Sequence, residues 1–251
     1  MLKKTSYRLV SVAIILSILA IAGCATTIER KTVKTIEPPP AEIASSDGWW
    51  YARFRMQWPQ EEEPSWHTDL LMAHKVVAPV LLKYKDRIRL WRFHRRAARD
   101  DAGHQFSFIF YASAETAYQV FDMLRSNALL TEMTYSGRII AEVYDNPDRI
   151  AKPRIKDTSD PSWPSSVQKS WPYFIMGASQ MWLNLITETV ADMPTADTTL
   201  SLDEYEEFYK EVNTTITSLW ANDGRHAFLH HLNALFGYKP VIFYEKRMLK
   251  F

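Results

Sequence analysis

From residue 49 onward, the chain contains four short segments in which apolar and polar side chains alternate, as they do in β-strands with one buried face. The first, WWYARFRMQW, places an apolar side chain at every even position from Trp50 to Trp58 and arginine at positions 53 and 55. Pro59 follows and is expected to end the strand, because proline has no backbone N–H to donate. The other three segments are IRLWRFHRR (88–96), HQFSFIFYA (104–112) and RIIAEVYD (138–145).

Two segments with helical spacing separate these strands. In DLLMAHKVVAPVLLKY (69–84), apolar side chains recur every three or four residues, and Pro79 is expected to kink or restart the helix. Ser113 can cap a second helix whose apolar side chains, from Ala117 to Leu124, face inward. The resulting order β-α-β-β-α-β resembles a ferredoxin-like split unit. We therefore predict an α+β fold for residues 49–145, with a four-stranded antiparallel sheet and two helices on one of its faces.

Residues 146–251 are predicted to form a mainly helical C-terminal region that packs on the sheet domain. After a proline-rich connector, Pro172 is well placed in a first helical turn. The segment that follows, YFIMGASQMWLNLITETV, is apolar on almost all sides, as in a buried helix. Ser201 and Glu204 have the spacing of a capping box at the start of a second helix, which Gly224 is expected to end. A shorter third helix, HAFLHHLNALF, and a last strand, PVIFYEK, complete the prediction.

Residues 24–48 precede the first strand and show neither helical nor alternating apolar periodicity. They are mostly polar, with three consecutive prolines at positions 38–40, a composition typical of an extended or disordered linker. At roughly 3.3 Å per residue, such a segment would span about 80 Å when fully extended. We predict that it is a tether for the folded region.

The first residues of the chain have the pattern of a secretory signal peptide. Three basic residues precede an apolar stretch, Leu9–Ala22, which is shorter than the roughly 20 residues needed to span a bilayer. The stretch ends in the sequence IAGC, and its last residue, Cys24, is the single cysteine of the chain. This ending resembles the lipobox of bacterial lipoproteins. The alternative is an uncleaved membrane anchor with an incidental cysteine.

The lipoprotein resemblance implies that residues 1–23 are removed and that Cys24 then carries lipid. In that family, a diacylglycerol is attached to the cysteine sulfur and a fatty acid such as palmitate to the new amino terminus. Two or more acyl chains hold a protein stably on a membrane, so Cys24 is predicted to be an anchor rather than a redox group. Ala25 stands where enteric-type lipoproteins of the inner membrane have aspartate, which implies an outer-membrane protein facing the periplasm.

The charge of the chain gives no reason to expect nucleic-acid binding. Removal of residues 1–23 takes away three basic side chains and changes the formal net charge from +1 to −2. A chain without excess positive charge lacks the electrostatic attraction on which binding to phosphate backbones depends. The expected partners are instead the membrane, through the lipid, and an envelope protein or anionic envelope component.

Two short motifs and one histidine have residue types that occur in catalytic or metal sites. The sequence HAFLH resembles the zinc-protease pattern H-E-x-x-H, but Ala227 stands in place of the glutamate base, and no third ligand is identified for His226 and His230. Ser179 lies in a partial nucleophile elbow, GASQM, that is predicted to be mid-helical. His74 falls on an apolar helical face, where a hydrogen-bonded core histidine is the usual case. We therefore predict no catalytic residue, no metal site and no cofactor besides the covalent lipid.

The segment RIRLWRFHRRAARDD combines six arginines with aromatic side chains. Guanidinium groups bind phosphates and carboxylates and stack on aromatic rings, and tyrosine, tryptophan and arginine dominate binding hot spots. The predicted partner-binding residues are Arg89, Trp91, Arg92, Arg95 and Arg96. The alternative is that these arginines form a solvated strand face and pair within the chain with Glu61, Glu62, Glu63, Asp100 and Asp101. If the C-terminal helices cover the strand, its residues belong instead to the core of the protein and the rim of that core.

Together these features favour a membrane-anchored envelope lipoprotein that acts as a non-catalytic interaction or assembly module. An envelope hydrolase with an unassigned site is the alternative function. The chain has seven glycines and no glycine-rich loop, and a tethered interaction domain requires only the surface and the tether that the sequence predicts.

Overall fold

The structure, a computed structural model, describes residues 47–193 and 200–240. The predicted signal peptide, nearly all of the tether and the predicted last strand lie outside the described residues. The strands are β1 (Asp47–Met56), β2 (Leu90–Ala97), β3 (His104–Ser113) and β4 (Ile139–Tyr144). The helices are α1 (Trp66–Leu71), α2 (Ala78–Lys83), α3 (Ala114–Arg125), α4 (Ala128–Tyr135), α5 (Ser165–Asp192), α6 (Leu202–Gly224) and α7 (His231–Leu235).

The four strands form one antiparallel sheet in the order β2-β3-β1-β4. The predicted α+β class and the four-stranded antiparallel sheet are therefore confirmed. The first strand begins at Asp47, two positions earlier than predicted, and ends at Met56, so Trp58 lies beyond it.

One face of the sheet, which we call the helix face, carries the main core. Its large side chains come from alternate positions of the strands, as the period of two requires. Helices α1, α2 and α3 lie on this face. The fully buried members from the sheet are Trp50, Ala52, Phe54, Met56, Phe106, Phe108 and Phe110, and the helices add Leu70, Leu71, Val77, Val80, Val120, Phe121 and Leu124.

Pro79 restarts the first helical segment, as the sequence predicts. It lies in the first turn of α2, directly after a π-helical turn at Met72–Val77. A proline inside an α-helix removes one backbone hydrogen bond and its ring clashes with the carbonyl four residues earlier. The wider π-helical turn places the proline where an N–H is not required.

Helix α5 begins at Ser165, so the prediction that it starts at Pro172 is wrong. Pro172 is buried inside the helix and cannot donate to the carbonyl of Gln168, one turn earlier. The hydroxyl of Ser159 donates to that carbonyl instead, at 2.7 Å. The helix tolerates the proline because a side chain from the connector satisfies the carbonyl group that the proline leaves unpaired.

Among the described residues between 165 and 236, three α-helices are present, α5, α6 and α7, in agreement with the predicted mainly helical C-terminal region. The capping box of Ser201 and Glu204 at the start of α6 is also confirmed. Gly224, however, does not separate α6 from α7, because its φ of −57° is helical and a π-helical turn, Arg225–His230, continues the chain into α7. The left-handed glycine that follows α7 is Gly237, with a φ of +66°. Helix α4, capped by Asn127, was not predicted.

Candidate functional site

Helix α5 lies along the outer edge of the sheet, against β2. The backbone N–H of Phe93 donates to the hydroxyl oxygen of Ser179 at 3.1 Å, and that hydroxyl donates to the carbonyl of Ile175 at 2.8 Å. Ser179 is buried in mid-helix. Its hydroxyl satisfies an edge-strand donor that would otherwise be available for pairing with another chain. The prediction that Ser179 lies in mid-helix is confirmed.

The predicted partner-binding residues of β2 point to two opposite faces of the sheet. Trp91 and Arg95 lie on the helix face, where Trp91 is buried in the core. Arg92 and Arg96 lie on the other face, which we call the arginine face. Arg89 precedes the strand, is half-exposed and pairs with Asp47 at 3.4 Å. The structure places Trp91 and Arg95 in contacts within the chain.

Arg95 belongs to a buried polar cluster with Asp69 and His104. Its Nε donates to Asp69 Oδ2 at 2.8 Å, and its Nη2 donates to the carbonyl of Trp66 at 3.0 Å. The guanidinium also lies over the rings of Trp66 and Trp182, at 4.9 and 4.8 Å from their centroids. Asp69 and His104 have no exposed side-chain surface, and His104 Nε2 is 3.1 Å from Asp69 Oδ1. The three side chains come from α1, β2 and β3, so the cluster joins these elements. Because solvent cannot reach Asp69 or His104, we interpret the cluster as structural.

The arginine face carries Arg53 and Arg55 from β1 and Arg92, His94 and Arg96 from β2, with β3 between the two strands. Arg96 pairs with Asp100 at 2.6 Å, which fits the predicted internal pairing, and Arg92 lies over the ring of Trp171 at 4.9 Å. Within residues 47–193 and 200–240, Arg53 and Arg55 have no acidic partner within 4 Å. Burial and the nearby charges of Arg92 and Arg96 lower the pKa of His94. The carboxylate of Asp145 interacts with Arg53, and Asp100 and Asp101 line the same surface pocket as Arg55. The four arginines outnumber these carboxylates, so the face carries a small excess of positive charge.

The connector covers one end of the arginine face and leaves the rest open. The indole N–H of Trp49 donates to the carbonyl of Ile155 at 2.8 Å, and the hydroxyl of Tyr111 donates to that of Pro153 at 2.7 Å. Residues 105, 141 and 143, on the neighbouring strands, retain partly or fully exposed side chains. The uncovered part of the face is the part that carries Arg53 and Arg55.

A groove of about 740 Å³ lies on the opposite side of β2, between α2 and α5. Its volume is within the roughly 300–1,000 Å³ range of small-molecule sites. The floor is apolar and the rim is polar. The lining includes His74, Ala78, Leu81, Lys85, Ile88, Arg89, Trp91, Met176, Gln180, Leu183, Asn184 and Thr187.

His74 lines this groove at the N-terminal end of the segment 74–85, and Lys85 lines it at the C-terminal end. Its Nδ1 is 2.5 Å from the hydroxyl oxygen of Tyr209, on α6. Burial, together with the charge of Lys75, lowers the pKa of His74 to about 4, and burial raises the pKa of Tyr209. Both groups are therefore neutral at pH 7. Since Tyr209 has no other acceptor among the described residues, its hydroxyl donates to Nδ1, and the ring proton of His74 is on Nε2.

We expect His74 to make the protein less stable as the pH falls from about 6.5 to about 4. The unfolded histidine titrates near 6.5 and the folded one near 4, so the unfolded state binds more protons across this window and its population rises. With allowance for the partial exposure of the ring, the loss is on the order of 1–2 kcal/mol. The measurement is the free energy of unfolding against pH for the wild type and His74→Gln. Parallel curves for the two proteins would contradict the assignment.

The histidines of HAFLH lie on the exposed π-helical turn that joins α6 to α7. The rings of His226 and His230 are stacked, with centroids 5.2 Å apart. In the ranges 47–193 and 200–240, the structure contains no cluster of three or more side chains able to hold a metal ion. Within the same ranges, none of the helices has the length and apolar character that crossing a bilayer requires.

Comparisons with known proteins do not add a family to this description. No protein-family model, no curated protein and no solved structure matches the chain. No enzyme family or enzyme homologue is therefore found.

Proposed function

We propose that this chain is a lipid-anchored protein of the bacterial cell envelope whose folded domain is a non-catalytic interaction module. The anchor is the lipid on Cys24, and the proposed location is the periplasmic side of the outer membrane. The support is the order of basic residues, apolar stretch, small residues and cysteine at the start of the chain. The proline-containing tether would allow the domain to reach partners at a distance from the membrane.

We further propose that residues 47–144 form a ferredoxin-like unit. Its support is the element order β-α-β-β-α-β together with the strand order β2-β3-β1-β4. In this arrangement, each helical connection joins two parallel strands with one antiparallel strand between them, which is the split βαβ connection. Such a unit has helices on one face of the sheet and leaves the other face for binding.

The single observation that carries the proposed binding function is the excess positive charge of the arginine face. Arg53 and Arg55 project from a central strand and form no ion pair within 4 Å among the described residues, although the carboxylate of Asp145 interacts electrostatically with Arg53. Arg53 is stacked on Tyr51, 4.7 Å from its ring centroid, and is thereby ordered before a partner arrives. Guanidinium groups held in this way fit carboxylates and phosphates. The proposed partner is an acidic surface of an envelope component.

Charge reversal at Arg53 and Arg55 should therefore abolish partner capture. The double variant Arg53→Glu/Arg55→Glu is expected to capture at least about tenfold less partner from crosslinked envelopes. The reason is that the new glutamates would face the acidic surface of the partner and repel it. The matched control is Lys169→Glu/Lys210→Glu, which makes the same change in net charge at exposed helical positions. Equal losses in the two double variants, or undiminished capture by the first, would refute a role for the arginine face.

A further inference from the structure

The groove between α2 and α5 is lined by two segments of the chain. His74, Ala78, Leu81 and Lys85 come from the π-helical turn, α2 and the turn after it, and Met176, Gln180, Leu183, Asn184 and Thr187 come from α5. On α5 the lining covers eleven residue steps, from Met176 to Thr187, which at a rise of 1.5 Å per residue is about 16 Å. An elongated ligand fits this shape better than a compact one.

The floor and the two ends of the groove differ in chemistry. Trp91, Ile88 and Leu183 are buried in the core and present apolar surface to the groove. Lys85 is at one end of the segment 74–85 that lines the groove, and Arg89 follows it just before β2. Arg89 pairs with Asp47 at 3.4 Å, a half-exposed ion pair of the kind that contributes little, whereas Lys85 has no acidic partner within 4 Å among the described residues. His74, at the other end of that segment, is neutral and hydrogen-bonded to Tyr209.

We propose that this groove binds a long-chain anionic amphiphile, with its acyl chain along Trp91, Leu81 and Leu183 and its anionic head at Lys85 and Arg89. The apolar floor provides the burial that favours an acyl chain, and the cationic end provides the charge complementarity that orients it. The size of the groove matches a single small ligand rather than a protein surface.

The source of the amphiphile is the surrounding membrane rather than the lipid on Cys24. Withdrawing an anchor chain from the bilayer would forfeit the burial that holds the protein there. A free amphiphile, such as a fatty acid, can enter the groove without loosening the anchor. This inference does not depend on the arginine face, with which the groove shares no residue.

The test is a titration of the full-length Cys24→Ser chain with parinaric acid, a fluorescent long-chain fatty acid that accepts energy from tryptophan. Saturable binding of one molecule per chain is expected, and Lys85→Glu should weaken it about tenfold. Lys83→Glu is the matched control, since Lys83 is exposed, two residues away and outside the groove lining. It should bind as the parent chain does.

Two further variants separate groove binding from adsorption elsewhere. Gln180→Trp/Asn184→Trp replaces exposed rim residues and should fill the groove and abolish binding, whereas Glu188→Trp, on the same helix but outside the lining, should not. Absence of binding to the parent chain, or equal binding by the filled variant, would overturn the proposal. If the lipidated wild type failed to bind while Cys24→Ser bound, the groove would hold the anchor's own chain, and the membrane source would be wrong.

Discussion

Arg95→Met is expected to lower the free energy of unfolding by about 3–5 kcal/mol, the usual cost of removing one partner from a buried ion pair. Asp69 has no exposed side-chain surface, and Arg95 Nε is 2.8 Å from its Oδ2. Without the guanidinium, the carboxylate would be left beside His104 in a site that solvent does not reach. The stacking of Arg95 between Trp66 and Trp182 would be lost as well.

A second substitution distinguishes this electrostatic cost from a general packing defect. Asp69→Leu/Arg95→Met removes both charges and should be more stable than Arg95→Met alone, because no uncompensated carboxylate remains. Arg96→Met, on the arginine face and at an exposed ion pair, should change the stability little. Chemical denaturation of the four proteins measures these differences. If Arg95→Met were as stable as the wild type, Arg95 would not be the structural residue that the cluster indicates.

Cys24→Ser is expected to release the protein from membranes or to leave the precursor uncut. Each buried methylene of an attached acyl chain contributes about 0.8 kcal/mol to membrane binding, and serine has no sulfur to accept the lipid. Metabolic labelling with a fatty-acid analogue, followed by membrane fractionation, measures both effects. Thr26→Ser is a control with a similarly small change near the same site. A wild-type chain that takes up no label would contradict lipid anchoring.

Local patterns predicted the sheet because apolar and polar residues alternate along β1 and β2, although β3 is buried on both faces. In β1, the period of two placed Trp50, Phe54 and Met56 on one side and Arg53 and Arg55 on the other, and the structure has the same division. Pro79 and Ser113 also act through their immediate neighbours, in the positions expected for a restart and an N-cap. These features were predictable because the residues that determine them are close in sequence.

The features that were missed depend on contacts between distant parts of the chain. Pro172 is tolerated inside α5 because Ser159, outside the helix, hydrogen-bonds the carbonyl that the proline cannot pair. Asp69 stands at the start of an apolar helix, and only the packing of β2 and β3 brings Arg95 and His104 to it. An acidic residue at the edge of an otherwise apolar helical segment was the one local signal of this cluster.

The arginine-rich strand β2 also shows the difference between local patterns and contacts that are distant in sequence. Alternation alone places Arg92 and Arg95 on opposite faces of β2, but it does not say which face the helices cover. The structure places Arg95 on the covered face and Arg92 on the other, the same face as Arg53 and Arg55, with β3 between them. The proposed binding surface is therefore a composite of β1 and β2.

Site-specific photocrosslinking in intact cells tests the proposed binding surface most directly. A photoreactive residue in place of Gln105, which is opposite Arg55 in the sheet and leaves every arginine intact, should form one discrete adduct with an envelope component. That adduct should disappear in Arg53→Glu/Arg55→Glu, and the same photoreactive residue at exposed Glu132 on α4 should not form it. No adduct from position 105, the same adduct from position 132, or an adduct that survives the charge reversal would contradict the account.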